Sequence, residues 1–229
     1  MTTELLSHSL IYLFTFIGLA MTPPSLKILR WIFPSWFLIV NLLLFSGIRD
    51  YHFFGFPVFN PLITQLPWIL VTAYIITASR QKMVRIDSGE WTLWCSYRLM
   101  GIHYFPLLFA FLLPQEFALR MGVMETLVGL GALLLYLLQK KNWSITWYIF
   151  VFWNALGLIS AWRANTSLQV YTLTGPSGAG QREIVNYFNL FPEIWQASFW
   201  APLSIGIHLI LFYDIWTKRR SFRKLERGS

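Results

Sequence analysis

Polar side chains that could do chemistry lie inside stretches of chain that are otherwise almost entirely apolar. These residues are Arg98, His103, Glu125, Asn154, His208 and Asp214. Ionisable groups at such depth in a membrane span are costly, so they normally face a bundle interior and pair with another group. We therefore predict that these six residues form a ligand-binding site. For the amides Asn41, Gln65 and Asn154, hydrogen bonding between helices is the alternative interpretation.

The surrounding composition is that of a polytopic membrane protein. Charged residues make up only 12% of the 229 residues, hydrophobic residues make up 56%, and the mean hydropathy is +0.53. A soluble domain carries about 25% charged residues. The single cysteine, Cys95, excludes a disulfide framework and a cysteine-based metal site. The predicted fold is an all-α bundle of seven transmembrane helices in one domain, residues 1–221. The predicted spans are 5–22, 31–48, 60–79, 92–114, 122–139, 143–162 and 197–217.

Basic residues in the short loops predict the orientation. Thirteen lysines and arginines fall on one side of the predicted spans and four on the other. This predicts an N-terminus outside, a cytoplasmic C-terminus and an external loop at 163–196. Residues 222–229 form a basic tail, and its end, LERGS, resembles a residual cloning sequence. The net charge of +8 then reflects topology, so no nucleic-acid partner is predicted. The lipid bilayer is the predicted partner, in a bacterial inner membrane.

Helix directions predict which of the buried polar groups meet. Arg98 is placed about 9 Å from the cytoplasmic end of the fourth span, at the depth of Asp214, and His103 is placed at the depth of His208. We predict an ion pair between Arg98 and Asp214, with extension of Arg98 to the headgroups as the alternative. Glu125 is placed near the outer face, too far out to neutralise Arg98. There it is either a helix-end carboxylate or a proton or cation site.

The helix-breaking prolines and the two histidines support different functions. Pro106 is expected to bend the fourth span beside His103 and to open a cavity at the midplane. Broken helices with buried polar groups are typical of transporter sites, which favours a small-solute permease or ligand-binding bundle. Two mid-membrane histidines also suit axial haem ligation. A haem- or quinone-binding redox subunit using His103 and His208 is therefore the alternative, beside a structural partner subunit.

Motifs of common enzymes do not match. In GPSGAGQRE, residues 175–183, Gln181 stands where a phosphate-binding loop needs lysine. The zinc-hydrolase pattern HExxH and the nucleophile elbow GxSxG do not occur, and no metal site is predicted. An enzyme is therefore less expected than a binding or transport protein. Glycine-bearing helix faces would allow an oligomer.

The sequence resembles uncharacterised bacterial multi-pass membrane proteins. The resemblance rests on a degenerate pattern running from Arg98 through Gly101 and Glu125 to the run Leu127–Leu130, and on Ala201–Ser204 followed by His208. It covers about a third of the chain. The resemblance implies a common design that includes Arg98, Glu125, Pro202 and His208, and it implies no activity.

Overall fold

The computed structural model describes residues 3–21, 31–32, 34–35, 37–39, 42, 52–53, 56–57, 61–139, 143–174 and 199–227. Within these ranges the fold is all-α apart from a two-stranded hairpin, β1 (His52–Phe53) and β2 (Phe56–Pro57). The α-helices are α1 (Thr3–Ala20), α2 (Pro61–Arg80), α3 (Ser88–Trp94), α4 (Tyr104–Phe109), α5 (Gln115–Gln139), α6 (Trp143–Thr174) and α7 (Ala201–Arg227).

A 3₁₀ helix, Cys95–His103, joins α3 directly to α4, and we call it the 3₁₀ segment. The combined helical path begins after Asp87, whose Oδ1 accepts hydrogen bonds from the backbone N–H groups of Gly89 and Glu90. A 3₁₀ helix has three residues per turn, so side chains three apart lie in one line. Arg98 and Gly101 therefore share one face of the segment.

This face packs closely on α5 because glycines stand at the contact. A Cβ at Gly129 would lie 2.5 Å from the backbone nitrogen of Leu99, and a Cβ at Gly101 would overlap the Cβ of Glu125. The 3₁₀ segment makes its most extensive packing contact with α5 and its next most extensive with α1. The 3₁₀ segment thus lies at the centre of the described bundle.

Tryptophan side chains link α1 to the helical path through the 3₁₀ segment and to the start of α7. Trp94 donates from Nε1 to the carbonyl of Gly18 at 2.7 Å. Trp200, which precedes α7, donates from Nε1 to Thr15 Oγ1 at 3.1 Å, and its ring lies against Tyr97. Around this centre α6 packs on both α5 and α7, and α2 packs on α7.

Several helices extend beyond the predicted spans. The predicted fifth span starts at 122, but α5 begins at Gln115, because Glu116 and Arg120 form an exposed i,i+4 ion pair within the helix. The predicted fourth span starts at 92, but its helical path begins at Ser88. The predicted external loop starts at 163, whereas α6 continues to Thr174. The glycine-rich run 175–183 and the interfacial helix predicted after it lie outside the described residues.

The described residues contain one helix that is long and apolar enough to cross a membrane, Gln115–Leu138. Two shorter apolar helices, Leu5–Ala20 and Trp68–Arg80, accompany it. The all-α prediction is thus confirmed, while the seven-span arrangement stays a prediction.

Candidate functional site

Arg98 is the centre of a buried polar network and uses all five of its N–H donors. Its Nε donates to Glu125 Oε2 at 2.7 Å, and its Nη2 donates to Glu125 Oε1 at 2.5 Å. Nη2 also donates to Ser160 Oγ at 2.9 Å, while Nη1 reaches the carbonyl of Gly157 and Nε2 of His208, each at 2.9 Å. The guanidinium is only 1% exposed. A guanidinium has five N–H donors, so as described Arg98 has none left for another partner.

The direction of each hydrogen bond follows from Arg98, since a guanidinium can only donate. Nε2 of His208 must therefore accept, so its Nδ1 carries the proton and donates to Asn154 Oδ1 at 2.7 Å. Asn154 Nδ2 then donates to the backbone carbonyl of His208 at 3.0 Å. This arrangement assigns His208 as the neutral tautomer protonated on Nδ1.

Ser160 completes the network on its other side. Its hydroxyl accepts from Arg98 Nη2 and donates to Glu125 Oε1 at 2.8 Å. Glu125 thus accepts three hydrogen bonds, two from the guanidinium of Arg98 and one from the hydroxyl of Ser160. Its side chain is 17% exposed. It is the one charged partner of Arg98 among the described residues, so the pair is electrically neutral as a unit.

Helix periodicity brings these residues together. On α6, Asn154, Gly157 and Ser160 recur every three residues and face α7 and the 3₁₀ segment. On α5, small residues alternate at intervals of four and three around Glu125: Ala118, Gly122, Gly129 and Ala132. Small residues let neighbouring backbones approach closely. Glu125 therefore lies directly against the 3₁₀ segment.

The predicted ion pair between Arg98 and Asp214 is wrong. Asp214 instead pairs with Lys218, whose Nζ lies 2.7 Å from Asp214 Oδ2 and also donates to Ser88 Oγ. Ser88 is the first residue of α3, and Arg98 lies ten positions later (98 − 88). Asp214 thus lies beside the start of α3, roughly 15 Å from Arg98 along the helix axis.

The statement that Glu125 lies too near the outer face to reach Arg98 is also wrong. Because α5 begins at Gln115, Glu125 lies ten positions into its helix (125 − 115), about 15 Å from the start. Arg98 lies equally far into the antiparallel path that begins at Ser88. The two residues therefore meet near the middle of the bundle.

The structure separates His103 from the network. His103 is fully buried, its Nδ1 lies 2.6 Å from the carbonyl of Met100, and its ring lies against Tyr104. His208 contacts Arg98, and both of its ring nitrogens are engaged. A haem ligated by both histidines would have to displace Arg98 or Asn154 from His208. In the part of the chain that is described, no group of three histidine, cysteine or carboxylate side chains could hold a metal ion.

A small cavity of about 50 Å³ lies beside the network. Arg98 and Glu125 line it on one side, and aromatic and hydroxyl side chains complete the wall, including Tyr97, Trp200 and Ser204. Tyr97 hydroxyl bonds Ser204 Oγ and the carbonyl of Trp200. The cavity lies beside Arg98 and Tyr104 and its lining does not include His103, so the cavity predicted beside His103 and Pro106 stays a prediction.

The sequence analysis missed four site residues, Tyr97, Gly157, Ser160 and Ser204. Two of them have a signal in the sequence. Ser160 lies six residues after Asn154 on α6, with Gly157 midway between them, and Ser204 lies one turn before His208 on α7. The alternation of small residues around Glu125 likewise indicates that this carboxylate faces another helix.

Comparison of the chain with protein-family models, with curated proteins and with solved structures found no match in any of the three.

Proposed function

We propose that the protein is an integral membrane protein with the seven-span, N-terminus-outside topology, located in a bacterial inner membrane. The combination of buried polar side chains with exposed apolar side chains supports this proposal. Arg98, Asn154 and His208 are buried, whereas large apolar side chains on α1, α5 and α6 are exposed, among them Phe16, Leu134 and Phe152. A soluble monomer rarely exposes so much contiguous apolar surface, whereas lipid favours it.

The helical path that contains the 3₁₀ segment is long enough to cross a membrane. The path from Ser88 to Phe109 contains 13 α-helical residues, 7 in α3 and 6 in α4, which extend about 20 Å, and the 9 residues of the 3₁₀ segment extend about 18 Å. The hydrocarbon core is roughly 30 Å thick. Three successive short helices therefore supply one membrane-spanning element.

Within this bundle we place a binding site for a small solute in the cavity beside Arg98 and Glu125, with a permease as the activity. The observation that carries this proposal is a buried, fully hydrogen-bonded ion pair that faces a cavity. Breaking one partner of a buried ion pair is strongly destabilising, so a charged solute has to replace the partner that it displaces. A solute gains access when the carboxylate or the guanidinium exchanges its partner.

The test is a thermal-stability screen of the purified protein in detergent against small ions and polar solutes. A solute that binds the cavity raises the unfolding temperature in proportion to its occupancy. Ala164 lines the cavity, and Ala164→Leu fills it and is expected to remove the shift. Ala155→Leu is the matched control, because Ala155 lies on the same helix and does not line the cavity. Shifts that survive in Ala164→Leu would contradict this location of the site.

The redox alternative has a separate readout. A haem subunit would purify with a Soret absorption band, and substitution of His208 would abolish the band. Such a band would overturn the permease proposal, because haem ligation requires His208 to leave Arg98 and Asn154.

A further inference from the structure

We propose that the site binds a small monocarboxylate anion together with one proton, with Arg98 receiving the anion and Glu125 receiving the proton. This inference rests on the proposed function and names the solute class. It follows from charge balance, from the geometry of the guanidinium and from the size of the cavity.

Charge balance selects the pair of ligands. The site is neutral as described, because Arg98 and Glu125 cancel each other. An anion that binds alone leaves one negative charge uncompensated, and a cation that binds alone leaves one positive charge. Either charge would be costly in a desolvated site. An anion that binds with one proton keeps the site neutral.

The guanidinium already displays the geometry that a carboxylate solute needs. Its Nε and Nη2 hold the two oxygens of Glu125 in a bidentate fork. When Glu125 is protonated it loses its charge, and a solute carboxylate can replace it at the same two donors. The neutral carboxyl group then donates to Ser160 Oγ, a hydroxyl that can either donate or accept. The proton is taken from the buffer acid in solution, whose conjugate base remains there, and the solute itself is not chemically changed.

We assign the proton to Glu125 because it is the one carboxylate that lines the described cavity. The 3₁₀ segment presents Arg98 to it directly and places Tyr97 and His103 within electrostatic range. From α4, Tyr104 lines the same cavity; α6 contributes the uncharged Ser160. On α7, His208 meets the network through Arg98.

His208 cannot take this proton without a rearrangement. Its Nε2 accepts a hydrogen bond from the positively charged guanidinium of Arg98. Protonation of Nε2 would place two N–H donors and two positive charges against each other. Glu125 starts as an anion, so protonation makes it neutral, and its carboxylate is the less buried member of the ion pair and borders the cavity.

The cavity volume restricts the anion to a few heavy atoms. About 50 Å³ accommodates roughly three to five water-sized groups. Formate and acetate have three and four heavy atoms. Met100, Met121 and Ala161 provide apolar wall for a methyl group.

The experiment is isothermal titration calorimetry of the purified full chain in detergent with sodium formate and sodium acetate. Each titration is made at one pH in two buffers of different ionisation enthalpy, so the difference in heat gives the protons taken up per anion. We expect one proton per anion in the wild type. Glu125→Gln mimics the protonated carboxyl group and is expected to bind the anion with no proton uptake.

Two variants make the result specific. Glu116→Gln removes an exposed carboxylate from the same helix and is expected to behave as the wild type. Arg98→Gln is expected to abolish anion binding, with folding checked by gel filtration. Anion binding without proton uptake in the wild type, or unchanged proton uptake in Glu125→Gln, would overturn the inference.

The failure of this inference can be distinguished from failure of the proposed function. If neither anion binds while another solute gives a stability shift that Ala164→Leu removes, the carboxylate inference is wrong and the cavity site stands. If neither anion binds and no solute gives such a shift, both are wrong.

Discussion

Arg98 is accommodated in an apolar interior because every one of its donors has an acceptor. Two of these acceptors are carboxylate oxygens, one is a backbone carbonyl, one is a hydroxyl and one is an imidazole nitrogen. Such saturation makes the guanidinium sensitive to loss of any strong partner. It also explains why an arginine, with its planar fork, stands here in place of a lysine.

The first prediction tests the pair of Arg98 and Glu125. Arg98→Met alone leaves a buried carboxylate without its counter-charge and is expected to destabilise the protein by roughly 3–5 kcal/mol. Arg98→Met combined with Glu125→Leu removes both charges and is expected to recover much of that loss. Thermal unfolding in detergent measures the double-mutant cycle.

The control for this cycle is Asp214→Asn. Because Asp214 pairs with Lys218, its substitution should add to that of Arg98 without coupling. Strong coupling of Arg98 to Asp214, with none to Glu125, would contradict the described network.

The second prediction concerns Asn154. Replacement by leucine leaves the Nδ1–H group of His208 without its acceptor and removes the additional hydrogen bond that Asn154 donates to the backbone carbonyl of His208 within α7. Unsatisfied buried groups cost about 1–3 kcal/mol each, so Asn154→Leu should lower the unfolding temperature clearly. Ser9→Ala, which removes an exposed hydroxyl bonded within α1, should change it little. An equal effect of the two substitutions would argue against the assigned tautomer.

At the scale of elements, the contact between α5 and the 3₁₀ segment fixes the site. Glycine on both sides brings the two backbones together, and the alternation of small residues along α5 keeps them together over several turns. Glu125 lies within this contact, so its backbone is held close to the 3₁₀ segment and its carboxylate lies beside Arg98. The position of the ion pair is thus a consequence of backbone approach.

The third prediction compares two glycines of α5. In Gly129→Ala the new methyl group would lie 2.5 Å from a backbone nitrogen that cannot move independently. In Gly122→Ala it would lie 3.2 Å from the Cβ of Tyr104 and 3.4 Å from the ring of Phe105. Overpacking costs about 1–3 kcal/mol, so we expect Gly129→Ala to be at the upper end of this range and Gly122→Ala at the lower end. Unfolding temperatures in the same detergent give the comparison, and the reverse order would contradict the described packing.

At the scale of the whole molecule, the described residues combine an interior that contains polar groups with an exposed apolar surface. An ion pair, two histidines and an amide lie within the otherwise apolar interior, whereas leucine, phenylalanine and tryptophan side chains are also exposed. The proposed membrane location would make this distribution favourable, because lipid solvates apolar side chains and leaves polar groups to pair internally.

The fourth prediction is the topology. Reporter fusions after Lys141 and after Ser221 are expected to be cytoplasmic, and fusions near Ser177 are expected to be external, because basic residues concentrate on the first side. Activity of a cytoplasmic reporter near Ser177 would contradict the seven-span topology. The same fusions made in a chain with Glu116→Gln serve as a control, since acidic residues contribute little to orientation.

The sequence by itself determined the helical class and three members of the polar network. The composition favours a membrane protein, and the rarity of ionisable residues in apolar stretches singles out Arg98, Glu125 and His208. These conclusions depend on residue type alone, so they needed no knowledge of helix depth.

Only the tertiary structure decided which of these residues meet. Pairing depends on where each helix begins and on its rise per residue, and both were misjudged: α5 starts at Gln115, before its charged first turns, and the path through Arg98 starts at Ser88 and is partly 3₁₀. A shift of a few residues moves a side chain by about one helical turn. That shift separates the predicted partner Asp214 from the observed partner Glu125.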